Sequence, residues 1–535
     1  PIPRNFSISA LAFNRELIWD VPLKKPGANV SVIPYLATSQ AKDFEEGTPK
    51  TGNMAVGGDA KVALGPALNL DVTINPDFSQ VEVDQQVTNL DRFEIFFPER
   101  RQFFLENADL FSDFGVDRMR PFFSRRIGIA KDTVSGANVQ NKIQYGVRLS
   151  GKVNNNLRVG LLNMQGERDE SLGLLGTNYT VATFQRKLFS RSNIGMIFIN
   201  KQAFKDSLDG EFTVNPEAYN RIIGLDYNLA SANNRWNGKF FYHQSMDAAK
   251  LDSTFAMGAN IEFNTLKWEV NASLQNIGAN YNPEVGFARR VDYQRVSSST
   301  WYNFYPGSGG IQSHGPGFDF DIYRNEKYGV TDYDVNLMYK MKFNNTGSFN
   351  VRLRKEYVYL FDSFDPTRTE SLELAAGTSY TNNVLMGWYN SDQRKRIAYS
   401  MSTRLGGYFN GTRVNFQGDI GYRYQPYGVL SMDFSYNRIR LPQPYASADI
   451  LLVGPRFDFT FTKNVFWTTF VQYNSQIQNL NINSRLQWRF KPVSDLFIVY
   501  TDNYLASSFE QGDVFRIGQP KYRSLVLKLT YWLNL

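Results

Sequence analysis

Asp332-Tyr333-Asp334-Val335-Asn336-Leu337-Met338-Tyr339-Lys340-Met341-Lys342-Phe343 is the stretch that decides the fold class. Tyr333, Val335, Leu337, Tyr339, Met341 and Phe343 share one face, and Asp332, Asp334, Asn336, Met338, Lys340 and Lys342 share the other. A period of two sends successive side chains to opposite faces of a β-strand, one suited to an apolar medium and one to water. The pattern repeats on both sides. Leu68, Leu70, Val72 and Ile74 oppose Asn69, Asp71, Thr73 and Asn75; Val414, Phe416, Gly418, Ile420 and Tyr422 oppose Arg413, Asn415, Gln417, Asp419 and Gly421. Phe457, Phe459 and Phe461 face away from Asp458, Thr460 and Thr462, and Ile482, Ser484, Leu486, Trp488 and Phe490 from Asn481, Asn483, Arg485, Gln487 and Arg489.

Soluble sandwiches and propellers alternate too. These repeats, however, run for about 9 to 13 residues, the reach of a tilted membrane-crossing strand and beyond the usual 5 or 6 of soluble sheets. Their apolar faces often end in Tyr, Trp or Phe, as a girdle at the lipid headgroups requires. No run of about 18 apolar residues offers a membrane helix, which leaves a closed barrel as the spanning structure. An aromatic content of 15% beside a mean hydropathy of -0.38 fits a wall that is apolar outside and polar inside. The sequence therefore predicts an all-β chain: one large transmembrane antiparallel β-barrel in a bacterial outer membrane, residues 1–535, of about 22–24 strands and an even number.

The connections come in two sizes. Residues 344–347, 410–411, 462–464 and 492–495 carry turn chemistry, and longer polar stretches lie near 166–176, 203–217, 362–369, 438–448 and 506–522. Short turns are expected in the periplasm and long loops outside. Leu525, Leu527, Leu529, Tyr531, Leu533 and Leu535 form one apolar face running to the final residue. This resembles the terminal strand read by outer-membrane assembly machinery, with Leu where Phe is commoner. Pro1 opens the chain without a charged-then-apolar leader, which reads as a mature or trimmed sequence. Cysteine is absent, excluding disulfides and thiolate metal sites. Net charge is only +7 from 58 Lys+Arg and 51 Asp+Glu, which reads as mixed-sign surfaces and no nucleic-acid stripe.

Alternation stops over 79–131. There Phe and charge are dense together, as in Phe93-Glu94-Ile95-Phe96-Phe97-Pro98-Glu99-Arg100-Arg101-Gln102-Phe103-Phe104-Leu105-Glu106. A strandless stretch of about 50 residues is too long for a plain connection. A lumen of more than about 20 strands is wide enough to leak and is commonly plugged. The segment is therefore expected to fold inward as a plug or constriction. Arg92, Arg100, Arg101, Arg125 and Arg126 are placed to pair with Glu94, Glu99, Glu106 and Asp109, and with inward-facing wall carboxylates.

Three blocks carry a resemblance: 75–84, 93–106, and Phe123-Ser124-Arg125-Arg126-Ile127-Gly128; a fourth is Glu284-Val285-Gly286-Phe287-Ala288-Arg289-Arg290-Val291-Asp292-Tyr293. Together they resemble a family of uncharacterised outer-membrane barrels best represented in Bacteroidota. That resemblance implies an upstream module similar to family-nine carbohydrate-binding domains, and none is recognisable in this sequence.

Catalytic patterns are scarce. His243 reads as an interfacial wall residue and His314 as a flexible loop residue. Glu94, Glu99 and Glu106 as an acid/base pair for glycoside cleavage compete with a plain ion-pair lattice. Asp109, Asp113 and Asp117 lack a calcium-loop spacing. No catalytic residue, metal or cofactor is assigned. The expected role is a plugged or gated channel or uptake component. The alternatives are a scaffold barrel for envelope or surface proteins and, behind it, a membrane-embedded glycan-acting enzyme. The expected contacts are outer-membrane lipid and lipopolysaccharide, periplasmic or surface proteins, and a glycan ligand.

Overall fold

The computed structural model describes residues 17–21, 29–76, 86–131, 138–170, 173–206, 212–249, 251–506 and 517–535. Twenty-four antiparallel strands follow one another around a single closed wall, from Val30–Asp43 to Ile517–Thr530. First and last strands pair with each other, from Tyr35 opposite Thr530 to Asp43 opposite Tyr522. A two-residue continuation, Leu533–Asn534, carries that pairing on to Ser31 and Val32. Closure removes the free edges of an open sheet, so backbone polar groups bond within the wall.

The period-two faces sort as expected. Leu337, Leu353, Phe416, Leu430 and Leu527 are exposed on the outer face, while Asn336, Asn415 and Asn437, at alternate positions, are buried toward the lumen. An apolar band of this extent is stable only against lipid. Among the described residues no helix is long and apolar enough to cross a membrane, so the strands do the crossing. The protein is an outer-membrane barrel.

Strand lengths run from 7 residues in Leu68–Ile74 to 19 in Phe212–Ala230, a wider range than expected. The 7-residue strand is the one after which the chain leaves the wall. Hairpin pairing satisfies the backbone in water as well as in lipid, so strands extend past the hydrocarbon. Consequently Ser192–Asp206 and Phe212–Ala230 run through most of the predicted loop at 203–217, leaving 207–211 outside the described residues. Ile517–Thr530 likewise begins inside the predicted loop at 506–522, of which 507–516 lie outside. One end of the barrel carries tight links at 155–156, 265–267, 344–347, 463–464 and 492–493; the other carries 167–175, 278–292 and 360–378. The long-loop end also holds short links at 326–328, 409–410 and 475–478.

Between Leu68–Ile74 and Ile143–Asn154 the chain leaves the wall. Of the expected segment 79–131, residues 79–85 lie outside the described residues. From 86 to 131 it holds only single-turn helices at Gln102–Leu105 and Asp109–Ser112, a 3-10 turn at Ser124–Arg126 and two short ribbons. Met119–Arg120 pairs with Phe287–Ala288, and Ile129–Lys131 pairs with Asn138–Gln140.

Candidate functional site

Residues 86–131 pack on the inner face of the wall in two chemically different halves. In the first, Phe104, Leu110, Phe111, Phe114, Phe122 and Ile127 form one buried cluster with Leu162, Met164, Val181, Ile197, Ile199 and Ile222 of the wall. These wall residues point inward, because their neighbours Leu161, Met196 and Ile223 are exposed outward. Gly160 makes the approach feasible: a Cβ there would lie 2.8 Å from the Phe111 ring.

Polar anchors surround that core. Arg148, only 2% exposed, binds Asp71 at 2.7 Å and donates to the Glu106 carbonyl at 2.8 Å and to the Phe103 carbonyl. Gly115, in the left-handed region at φ +71, donates its N–H to Asp226 at 2.8 Å, and His243 Nε2 meets the other Asp226 oxygen at 2.7 Å. Lys239 reaches the Asp113 carboxylate at 2.8 Å.

The second half, near 86–95, is held by polar contacts and by one apolar residue, Leu90, which is buried against Tyr408, Ile439, Leu441 and Ile450 of the wall. Asp332 binds Arg92 on one oxygen and Arg290 on the other, the latter at 2.7 Å. Arg92 also donates to the Tyr359 carbonyl at 2.6 Å. Asp91 pairs with Arg289 and accepts, through its carbonyl, from Arg368. Tyr408 donates to the Leu90 carbonyl at 2.8 Å, and Gln472 makes a reciprocal pair with the Gln86 backbone at 2.8 Å each way. The Phe93 ring lies under Arg92 at 4.9 Å and Arg289 at 4.6 Å. Between this half and the wall lies a cavity of about 700 Å³, lined by residues 87–93 and by wall arginines, tyrosines and carboxylates.

The residues singled out from the sequence divide between these halves. Arg92 meets a wall carboxylate. Arg101 pairs with Glu99 at 2.7 Å, and Arg126 pairs with Glu94 at 2.7 Å. Glu99 is buried, which opposes its charge, yet Arg101 and the Ser124 hydroxyl hold its pKa below the usual 4.5. Arg125 donates to the Pro98 carbonyl at 2.8 Å, and Arg100 sits exposed beside it. Glu106 is held by Lys61 and Arg148, and Asp109 by Arg158 at 2.7 Å. Glu94, Glu99 and Glu106 are thus each occupied by separate cations. Asp109, Asp113 and Asp117 diverge to Arg158, Lys239 and Arg120. Among the described residues no group of three His, Asp or Glu is placed to hold a metal.

Two readings from the sequence need correction. His243 is not interfacial: it is fully buried inside the wall, because Asp226 and the Gly115 loop cover it. His314 is not in a flexible loop but in the strand Ile311–Asn325, bonded to the Tyr339 hydroxyl at 2.6 Å and stacked on Phe304. Sequence reasoning also missed the inward apolar patch and the arginines of the 278–292 loop. Met196-Ile197-Phe198-Ile199 is apolar on both faces, a readable sign that its lumen side is covered.

In overall shape the barrel is similar to the siderophore receptor PirA of Acinetobacter baumannii, at 10% identity and a TM-score of 0.45 over 95% of this chain and 81% of that one. It is similar too to the ferric enterobactin receptor PfeA of Pseudomonas aeruginosa, at 10% and 0.45 over 95% and 81%. The ferric yersiniabactin uptake receptor FyuA of Yersinia pestis stands at 6% and 0.43 over 94% and 80%. No curated protein matches the sequence. Residues 26–449, most of the chain, match the family described as a domain of unknown function (DUF5916), and the chain belongs to that family.

Proposed function

We propose that this barrel is a gated outer-membrane uptake component in which 86–131 is the plug. The observation that carries the reading is the division of the segment. Its Phe104–Ile127 half is buried in an apolar core and serves as a fixed anchor. Its 86–95 half rests on ion pairs and hydrogen bonds beside a cavity, with Leu90 as its one buried apolar contact, and serves as the gate. Apolar packing of this density is costly to separate, whereas charge pairs at the edge of a polar cavity exchange for water or ligand at lower cost. Planar-bilayer recording tests this. Wild-type protein is expected to be closed or to conduct in brief openings, and deletion of 86–95 is expected to give a sustained open pore. Equal, steady conductance of both would remove the gate.

The apolar anchor also favours a second reading, a permanently sealed barrel that docks envelope or surface proteins. Stoichiometric partners in a mild-detergent pull-down, together with a deletion variant that stays closed, would select it. A Bacteroidota source, an upstream carbohydrate-binding-like module and lipopolysaccharide at the outer wall are expectations of the motif resemblance and the fold.

A further inference from the structure

We propose that the cavity of about 700 Å³ is a binding site for a small ligand bearing two or more acidic oxygen groups, carboxylate or phosphate. Its volume falls in the range of about 300–1,000 Å³ typical of small-molecule sites. Seven arginines line it against five carboxylates, with six tyrosines between them. Three of the five carboxylates already meet two guanidiniums each, while Asp91 pairs with Arg289 and Asp334 lies 3.7 Å from Arg354. Asp332 serves both Arg92 and Arg290. Glu356 serves Arg404 at 2.5 Å and Arg354 at 3.8 Å. Asp321 is bound in two-pronged fashion by Arg295, at 2.6 and 2.8 Å, and lies 3.9 Å from Arg118.

Two guanidiniums retain unused capacity. Arg413 has no carboxylate within salt-bridge distance among the described residues and donates to the neutral Asn437 side chain at 2.7 and 3.0 Å. Arg404 keeps its Nε buried without a partner. A buried donor without an acceptor is unfavourable, and both Arg404 and Arg413 line the cavity. The planar guanidinium fork matches carboxylate and phosphate oxygens, and surplus positive charge inside a walled cavity concentrates anions.

Location agrees. Tyr408 and Arg413 flank the 409–410 turn at the long-loop end, as do Arg289 and Arg290 on the 278–292 loop. The same arginines that hold Asp91 and Asp332 also face the cavity, so a bound anion competes with those two carboxylates for Arg289, Arg290 and Arg92. Equilibrium binding does not require the segment to move, so this inference and the gate fail separately.

Calorimetric titration of the full chain in detergent tests it, with inositol hexakisphosphate and trigalacturonate as anionic probes and maltotriose as the neutral one. At least one anion is expected to bind in the micromolar range at about 50 mM salt and to weaken severalfold by about 300 mM, as an electrostatic site must. Phosphate-only or carboxylate-only binding names the acidic group. The double variant Arg404→Gln/Arg413→Gln is expected to lose at least tenfold, and Arg404→Lys/Arg413→Lys to lose less. Heat-dependent gel migration verifies that both variants are folded. No anion binding to wild-type protein, equal binding of maltotriose, or wild-type affinity in a folded Gln double variant would overturn the proposal. Should the Gln variant not fold, the wild-type comparison of charged and neutral probes decides alone.

Discussion

Asp332→Asn is the perturbation that bears most directly on the gate. Asp332, Arg92 and Arg290 have side chains 14%, 15% and 13% exposed and border the cavity, so the carboxylate neutralises two guanidiniums that are largely covered yet within reach of water. Removing one partner of a fully buried pair costs about 3–5 kcal/mol because a charge is left uncompensated, and an exposed pair is worth about 0.2–1 kcal/mol; this pair lies between the two. Asn keeps one acceptor, and Arg92 retains the Tyr359 carbonyl at 2.6 Å. We therefore take about 2–3 kcal/mol for the weakened hold on 86–95. At about 1.4 kcal/mol per tenfold, the released population rises about 30- to 150-fold. Single-channel recording in planar bilayers reads this as open probability, and sensitivity of cells to a large hydrophilic antibiotic reads it in the envelope. Arg92→Gln should act in the same direction, and combining the two should add little, since both break one contact. A folded Asp332→Asn variant with unchanged open probability would refute the reasoning and leave the segment a permanent seal.

Other perturbations separate anchor from gate. Phe111→Ala removes a ring packed against Gly160 and Phe122; a loss of about 3–5 kcal/mol is expected, seen as faster hydrogen exchange over 103–127 with little change over 86–95. Gly115→Ala puts a Cβ 2.4 Å from the Met119 carbonyl at φ +71; strain of about 1–3 kcal/mol should loosen 113–119 in the same exchange measurement. Glu99 has a folded pKa below 4.5, so its stabilisation is complete above that pH and is lost as pH falls through the lower folded value. Exchange protection at 98–101 and 124–127 should therefore be flat from about pH 8 to 5 and fall in stronger acid. Glu99→Gln should be less protected at neutral pH and lack that acid step; an unchanged step would assign it to another group.

What was legible from the sequence was local. Most strands show which face meets lipid, because whether Leu337 or Asn336 faces hydrocarbon is decided residue by residue with a period of two. The strand through Met196-Ile197-Phe198-Ile199, apolar on both faces, does not. From the alternation follow the barrel, its outer-membrane location and a count of about 22–24 strands, where the structure has 24. The loss of alternation over 79–131 likewise marked the stretch that leaves the wall. Pairs close in chain, such as Arg101 with Glu99, were also within reach.

Only the closed structure decided the rest. Asp332 is 240 residues from Arg92, and Asp226 is 111 from Gly115. Neither pairing has a local signature. Which inward residues meet depends on register, shear and closure of the whole wall, each a sum over many strand pairs. For the same reason Glu106 and Asp109, read as partners for arginines of their own segment, are taken by Lys61, Arg148 and Arg158 of the wall. A side chain's medium is set by its own strand, whereas its partner is set by where every other strand has gone.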